Sequence, residues 1–377
     1  MSLQTLPRDL IKEIFSYLPV KPLVRFTSVS KHYKSLIFNS EFIKLHLQRS
    51  PKHAHVLLTL HDAVKIEESW EEIWVLTPCS VRNLLEHPPS IGNEDECRRF
   101  NESYYTIGST NGLVCLITKA VNNGAKNICV RFWNPTLRLR SKKSPTLTIM
   151  ASVVLHIGFG YDESSDTYKV VAVFWDVTNQ KWEGRVHCMG DSFWRETLSC
   201  PAFPVELESS VGSFVNGSVN WFARNEQLVI FSLDLQTETG KCLLLPAGFD
   251  EVLHDYRNLV VLRGCLCFCY DHLGTHFVLW EMKEFGVQDS WTRLVNVSYV
   301  HLQFDNIQHD WLLVPVCLLE NEDVLLLVSK EVSDDVIMYN WRDDRVEHIE
   351  LPGIGENQIW YADGHMQSLV VPLPHPH

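Results

Sequence analysis

Cys265, Cys267 and Cys269 alternate through an apolar run, with His272 and His276 just beyond it. Thiolates and imidazoles are the ligand types of a zinc site, and alternation along a strand would aim all three sulfurs at one face. The stretch lacks the paired Cys-x-x-Cys of such sites, however, and alternate cysteines in an apolar strand ordinarily serve as small hydrophobes. No metal is therefore expected. Carboxylate pairs at Asp334 and Asp335 and at Asp343 and Asp344 have the types for acid–base work, but they fall among polar turn residues. The chain has no glycine-rich phosphate loop, Gly-x-Ser-x-Gly elbow or His-Glu-x-x-His helix. The expectation is a non-catalytic protein with no cofactor.

The elements around those residues are short strands. Thr110-Asn111-Gly112-Leu113 and Val215-Asn216-Gly217-Ser218 each centre on Asn-Gly, a strong hairpin signal. Gly158-Phe159-Gly160-Tyr161-Asp162 leads through a polar turn into Tyr168-Lys169-Val170-Val171. Further strands are predicted at 229–233, 241–245, 259–269, 277–282, 324–328 and 336–341, so residues 106–371 read as an all-β domain, followed by a tail at 372–377.

Some of these words repeat. Arg131-Phe132-Trp133-Asn134 to Pro145, Phe231-Ser232-Leu233-Asp234 to Pro246, and Met338-Tyr339-Asn340-Trp341 to Pro352 share one layout, with prolines 101 and 106 residues apart. Trp194 and Trp291, each within an Asp-Ser-containing turn, are separated by 97. An interval near one hundred is about two kelch-sized units of roughly fifty residues, which predicts a propeller-like ring of five or six blades. The tryptophans at 133, 194, 221, 280, 291 and 341 then belong mainly to packing between blades, with a minority left for recognition.

Residues 1–50 follow a different rhythm. Pro7 suits a first helical turn and Asp9 the positive end of the helix dipole. Leu10, Ile14 and Leu18 recur at four-residue steps, flanked by Ile11 and Phe15, until Pro19 stops the helix. Pro22 opens a second helix through Leu23, Val24 and Phe26. Ser28 is the expected cap of a third, carrying Val29, Tyr33, Leu36 and Ile37, and Ser40 begins a fourth through Leu47. So small a unit buries little surface and needs a partner or a neighbouring domain. Between it and the β domain, residues 51–105 break the strand rhythm. They carry Glu67, Glu68, Glu71, Glu72, then Pro88-Pro89-Ser90 and Glu94-Asp95-Glu96, and read as a linker or acidic insertion, the first guess for a partner-contacting region.

Leu6-Pro7-x-Asp9-Leu10-Ile11-x-Glu13-Ile14, Leu18-Pro19-Val20-Lys21-x-Leu23-x-Arg25-Phe26, Val29-Ser30-Lys31 and Phe42-Ile43-x-x-His46-Leu47 together resemble the plant F-box. Tyr33 departs from the family, which usually has Trp there; the ring is kept, so weaker packing and no loss of docking are expected. The resemblance implies docking into a Skp-type adaptor that carries a cullin and the ubiquitin-transfer machinery. By position, Leu6, Pro7, Leu10, Ile14, Leu18, Pro19, Leu23, Phe26, Val29, Tyr33 and Leu36 line or support that seam. Which of them face the adaptor and which hold the helices together is not readable from the pattern.

The β domain is similar to the F-box-associated, kelch-related region of plant F-box proteins, on Asn111-Gly112-Leu113-Val114, Trp133-Asn134-Pro135-Thr136, Gly158-Phe159-Gly160-Tyr161-Asp162 and Tyr168-Lys169-Val170-Val171. With Trp280-Glu281-Met282-Lys283-Glu284-Phe285-Gly286-Val287 and Ser290-Trp291-Thr292, the order of motifs looks most like the S-locus F-box and S-locus F-box-like group of the rose family. That resemblance implies a substrate receptor of a Skp–cullin–F-box ubiquitin ligase, and in self-incompatibility a basic secreted-type ribonuclease as target. The alternatives are a Skp-bound scaffold outside proteolysis and a propeller enzyme. The expected fold class is α+β by segregation, a three-helix F-box followed by the propeller-like domain.

Charge is uneven. Residues 1–50 carry eight Lys and Arg against three Asp and Glu, a net of +5, and 51–377 carry 25 against 43, a net of −18. An acidic domain argues against nucleic acid and favours a basic protein partner. No apolar stretch approaches membrane length; Leu259 to Tyr270 is interrupted by Arg263 and Gly264. Eleven scattered cysteines suit a reducing compartment, cytoplasmic or nuclear, so the sequons at Asn101, Asn216 and Asn296 are expected to go unused.

Overall fold

The computed structural model describes residues 6–50, 55–66, 69–86, 98–100, 104–197, 206–249, 256–304, 312–319, 324–330, 335–350 and 358–372. Asn101, Asp334, Pro352, residues 67–68, 88–90 and 94–96, and the tail beyond Pro372 lie outside them.

Four helices come first: α1 (Arg8–Ser16), α2 (Val20–Phe26), α3 (Lys31–Ile37) and α4 (Ser40–Arg49). Pro7 and Pro19 stand immediately before α1 and α2 in extended conformation, as a residue without an N–H to satisfy permits. The cap of α3 is Ser30, not Ser28: its Oγ accepts from His32 N at 3.1 Å. Asn39 caps α4, its Oδ1 accepting from Glu41 N at 3.0 Å.

The remainder is a ring of antiparallel blades, six among the described residues, two of them joined by one parallel pair into a nine-stranded sheet. From the innermost strand outward, blade 2 is Tyr105–Thr110, Leu113–Asn122 and Ala125–Asn134, edged by Leu139–Arg140 and Leu147–Met150. Blade 3 is Leu155–Asp162, Thr167–Asp176, Lys181–Cys188 and Arg195–Glu196. Blade 4 is Val211–Val215, Ser218–Asn225, Gln227–Asp234 and Gly240–Leu243. Blade 5 is Arg257–Leu262, Cys265–His272, His276–Met282 and Trp291–Ser298, and blade 6 is Leu312–Leu318, Val324–Lys330, Asp335–Asn340 and Arg345–Glu350. The inner strands neighbour one another in ring order. The run at 259–269, expected as one strand, is two: Arg263 and Gly264 take positive φ (52° and 79°) and fold it into a hairpin.

Blade 1 corrects the reading of residues 51–105 as a linker. His55–Ile66 pairs with Ser69–Ser80 on one side and with the C-terminal strand Gln358–His365 on the other, and Arg98–Phe100 completes the sheet. The partner that turns this segment into a blade lies at the far end of the chain, beyond the reach of local pattern.

The words that repeat in sequence are latches between blades. Trp194 Nε1 donates to Pro145 O at 2.8 Å, tying blade 3 to the edge of blade 2, and Trp291 Nε1 donates to Leu244 O at 3.0 Å, tying blade 5 to blade 4. The latches fall at alternate gaps, which accounts for an interval of two blades. Gly158 and Gly212 let the inner strands of blades 3 and 4 pair directly in parallel; a Cβ on either would strike Val219 and Trp221. Asn134, buried, holds the segment after Gln358–His365 by donating from Nδ2 to Ser368 O at 3.0 Å and Val370 O at 2.7 Å.

Candidate functional site

The helical unit sorts its apolar residues into two populations. Leu23, Leu36, Ile37 and Phe42 are fully buried. Phe15 stacks on Phe26 with centroids 5.0 Å apart, and the Tyr33 ring meets Phe15 edge-on at 5.2 Å, so the tyrosine that replaces the family's tryptophan is a working member of this core. His46 is buried and its Nε2 donates to Leu18 O at 2.8 Å; burial lowers its pKa and keeps the ring neutral.

The second population stays outside. Leu10 and Ile14 are each 51% exposed, and Leu6, Tyr17 and Val29 more so. Leu10 and Ile14 lie one turn apart on one face of α1, with Leu6 just before the helix and Tyr17 at its C-terminal cap, while Ile11, Phe15 and Leu18 turn inward. The eleven residues expected at the seam therefore divide: Leu6, Pro7, Leu10, Ile14, Pro19 and Val29 are exposed, Leu18, Phe26 and Tyr33 half-buried, and Leu23 and Leu36 interior. Tyr17 was not among them. Its position seven residues after Leu10 is the signal that would have included it. Arg49 lies 4.5 Å over its ring and pairs with Glu13 at 3.0 Å, which fixes the end of the stripe.

The opposite side of the helical unit is fastened to the propeller. Ile43 and Leu47 of α4 share one apolar core with Tyr161, Tyr168, Met189 and Val370, and Lys44 pairs with Asp166 at 2.8 Å. A cleft of about 440 Å³ runs along this junction between α4 and the turns at Asn111 and Glu163. Nearby, Lys169 is buried between carboxylates, 2.8 Å from Asp162 and 3.6 Å from Glu238, with Arg195 also on Glu238. The Asp162 carboxyl is held well below the usual range, because the hydrogen bonds from Lys169, Ser165 and Ser164 overcome the opposing effect of its burial. Two cations and two anions balance here across blades 3 and 4.

The cysteine run belongs to the core. Cys267 and Cys269 are buried between blades, and burial pushes the Cys269 thiol up to about 12 and Cys267 higher still. Among the described residues no group of three His, Cys, Asp or Glu is arranged to hold a metal ion. Trp133, Trp221 and Trp291 are buried, and Trp194, Trp280 and Trp341 half-buried.

A short helical unit with exposed apolar side chains, fastened to a propeller of six blades among the described residues, is the architecture of F-box proteins with an F-box-associated domain. The F-box domain family matches residues 3–45, and the F-box associated beta propeller domain family matches residues 91–375. The chain belongs to that family. It is 30% identical over 310 residues to the F-box/kelch-repeat protein At3g23880 of Arabidopsis thaliana, covering 78% of this chain and 79% of the relative. It is 26% identical over 323 residues to F-box protein CPR1 of the same plant, covering 78% and 73%. Membership implies the role of a substrate receptor that reaches a cullin through a Skp adaptor.

Proposed function

We propose that this chain recruits a protein target to a Skp–cullin–F-box ubiquitin ligase by the exposed stripe of α1, with Val29 beside α3, seated in the adaptor, while the propeller holds the target. The single observation that carries this reading is the outward position of Leu10 and Ile14, with Leu6, Tyr17 and Val29, in a unit that buries Phe15, Leu23, Leu36, Ile37 and Phe42. Exposed large apolar side chains grouped on one helix face mark an interaction site. The mechanism is positional: fastening of α4 to blades 2 and 3 fixes the target relative to the adaptor, and proximity supplies the rate while other subunits do the chemistry. Co-purification with a Skp adaptor and a cullin, followed by ubiquitination of a bound target, tests it. A stable adaptor complex that admits no cullin would favour a scaffolding role instead, and failure to bind any Skp adaptor would overturn the reading.

The expectation of a basic ribonuclease rested on the S-locus resemblance and on the net charge of the domain. The charge is not spread evenly: residues 104–154, blade 2 and its exit, hold seven Lys and Arg and no Asp or Glu. A domain average therefore says little about the surface a target meets.

A further inference from the structure

Strand direction places the turns of the ring at two opposite faces. Those at Asn111 and at Glu163 to Asp166 adjoin α4, so the turns at Asn123-Gly124 and at Val177 to Gln180 lie on the face away from the helices. That far face exposes a run of large apolar side chains over blades 2 and 3. Leu155 and Phe174 are the last pair of their ladder, and Val154 and Trp175, 63% and 41% exposed, are the next residue on each stretch of chain beyond it. Trp175 pairs with Trp182 across the next strand, ring centroids 5.7 Å apart, and exposed Val177 follows in the turn. On the blade 2 side, exposed Val121 and Met150 flank the turn at Gly124, and Lys126 Nζ donates to Val153 O at 2.9 Å, joining the two halves.

The charges framing this run are positive on the blade 2 side and paired on the blade 3 side. Lys119, over the Tyr105 ring at 5.2 Å, and Lys126 come from the blade without carboxylates, and Lys181 and Arg185 come from blade 3. Against them stand Glu183, already paired with Arg185 and Lys181, Glu196, 3.5 Å from Arg185, and Asp176, which accepts from Thr178 N and Asn179 Nδ2 at its own turn, so the excess of positive charge lies on the blade 2 side. Aromatic anchors dominate binding energy and complementary charge sets partner choice.

We infer that this face docks an acidic segment of the target protein, with a large apolar side chain seated against Val154 and Trp175 and its carboxylates toward Lys119, Lys126 and Lys181. The inference rests on the reading of the chain as a target receptor and names the chemistry of what it receives. It reverses the sign that the overall charge suggests.

The test uses the full chain co-purified with a Skp adaptor and three fluorescent synthetic peptides read by anisotropy. One is acidic with a central Trp-Leu, one acidic with Ala-Ala in its place, and one carries the same Trp-Leu among lysines. The first binds, and binds more weakly as salt rises; the second is weaker by about tenfold or more, and the third is no better than the second. Trp175→Ser weakens the first peptide by about tenfold, with Val154→Asp as a second exposed change should the tryptophan variant melt early. Absence of saturable binding by the first peptide, preference for the basic one, or unchanged affinity in both variants overturns the inference. The adaptor complex is read in the same samples, so its loss strikes the docking reading and peptide behaviour with the complex intact strikes this one.

Discussion

The helices and the propeller spend their apolar residues in opposite ways. In the first fifty residues a whole stripe, Leu6, Leu10, Ile14 and Tyr17, is left in solvent although the unit is short of core. In the ring the side chains with the strongest pattern, Trp133, Trp221, Phe159 and the alternating Cys267 and Cys269, are consumed between blades. Recognition by the helices is thus written in their strongest pattern. Recognition by the propeller is written in what its pattern leaves over, the edges and turns.

That contrast is broken most directly at α1. Leu10→Glu with Ile14→Glu should reduce adaptor binding by more than about a hundredfold while leaving the melting temperature near that of the parent, because exposed sites carry little stability. A fall in melting temperature would mean that the stripe is structural and the contrast false. In the ring the expectation inverts: Trp221→Ala, which empties the contact with Gly158 and Gly212, should lower unfolding free energy by about 3–5 kcal/mol in urea titrations and leave adaptor binding intact in the folded fraction.

Acid should act on both regions. Burial lowers the pKa of His46 in the helices and of His55, His156, His187 and His365 in the ring, His365 to about 3. A histidine held neutral in the folded state binds its proton first when unfolded. Its contribution to stability is therefore full above about pH 6.5 and is lost as pH falls below it, for His365 continuing toward about 3. Melting temperature should drop between pH 7 and 5, and His365→Gln should flatten part of that slope; an unchanged slope would remove the closing strand from the account. The smallest effect belongs to the junction. Lys44 and Asp166 are both substantially exposed, so Lys44→Ala should change stability by less than about 1 kcal/mol, and a larger loss would show that this pair, rather than the apolar contact of Ile43 and Leu47, fastens the two regions.

Sequence pattern made the helices legible because Pro7, Pro19 and four-residue spacing are local signals. The blade count was legible only as five or six, from words spaced about two blades apart; the structure gives six among the described residues, and the Trp latches at alternate gaps explain the spacing. Residues 51–105 were misread for a physical reason: Ser69–Ser80 carries Glu71 and Glu72, and His55–Ile66 draws its second partner strand from Gln358–His365. The hairpin within 259–269 was hidden because its turn, Arg263-Gly264, sits inside an unbroken apolar run. The division of the docking residues into inward and outward sets needed three dimensions, since Leu10 and Leu23 look alike in a helical pattern. The row of Val154 and Trp175 was not singled out at all, because its members come from a connection and from a strand end.

Closure by the last strand also sets a schedule. His55 meets Gln367 across 312 positions of chain, and at about 5–20 residues per second a ribosome needs roughly 15–60 s to deliver the second after the first. Through that interval the first blade has strands without a neighbour, and Val370, part of the core that seats Ile43 and Leu47, has yet to be made. A chain interrupted before Gln358 would lack both the strand that closes the ring and the residue that completes the seat of α4, so one short segment finishes the receptor and its attachment to the docking helices together.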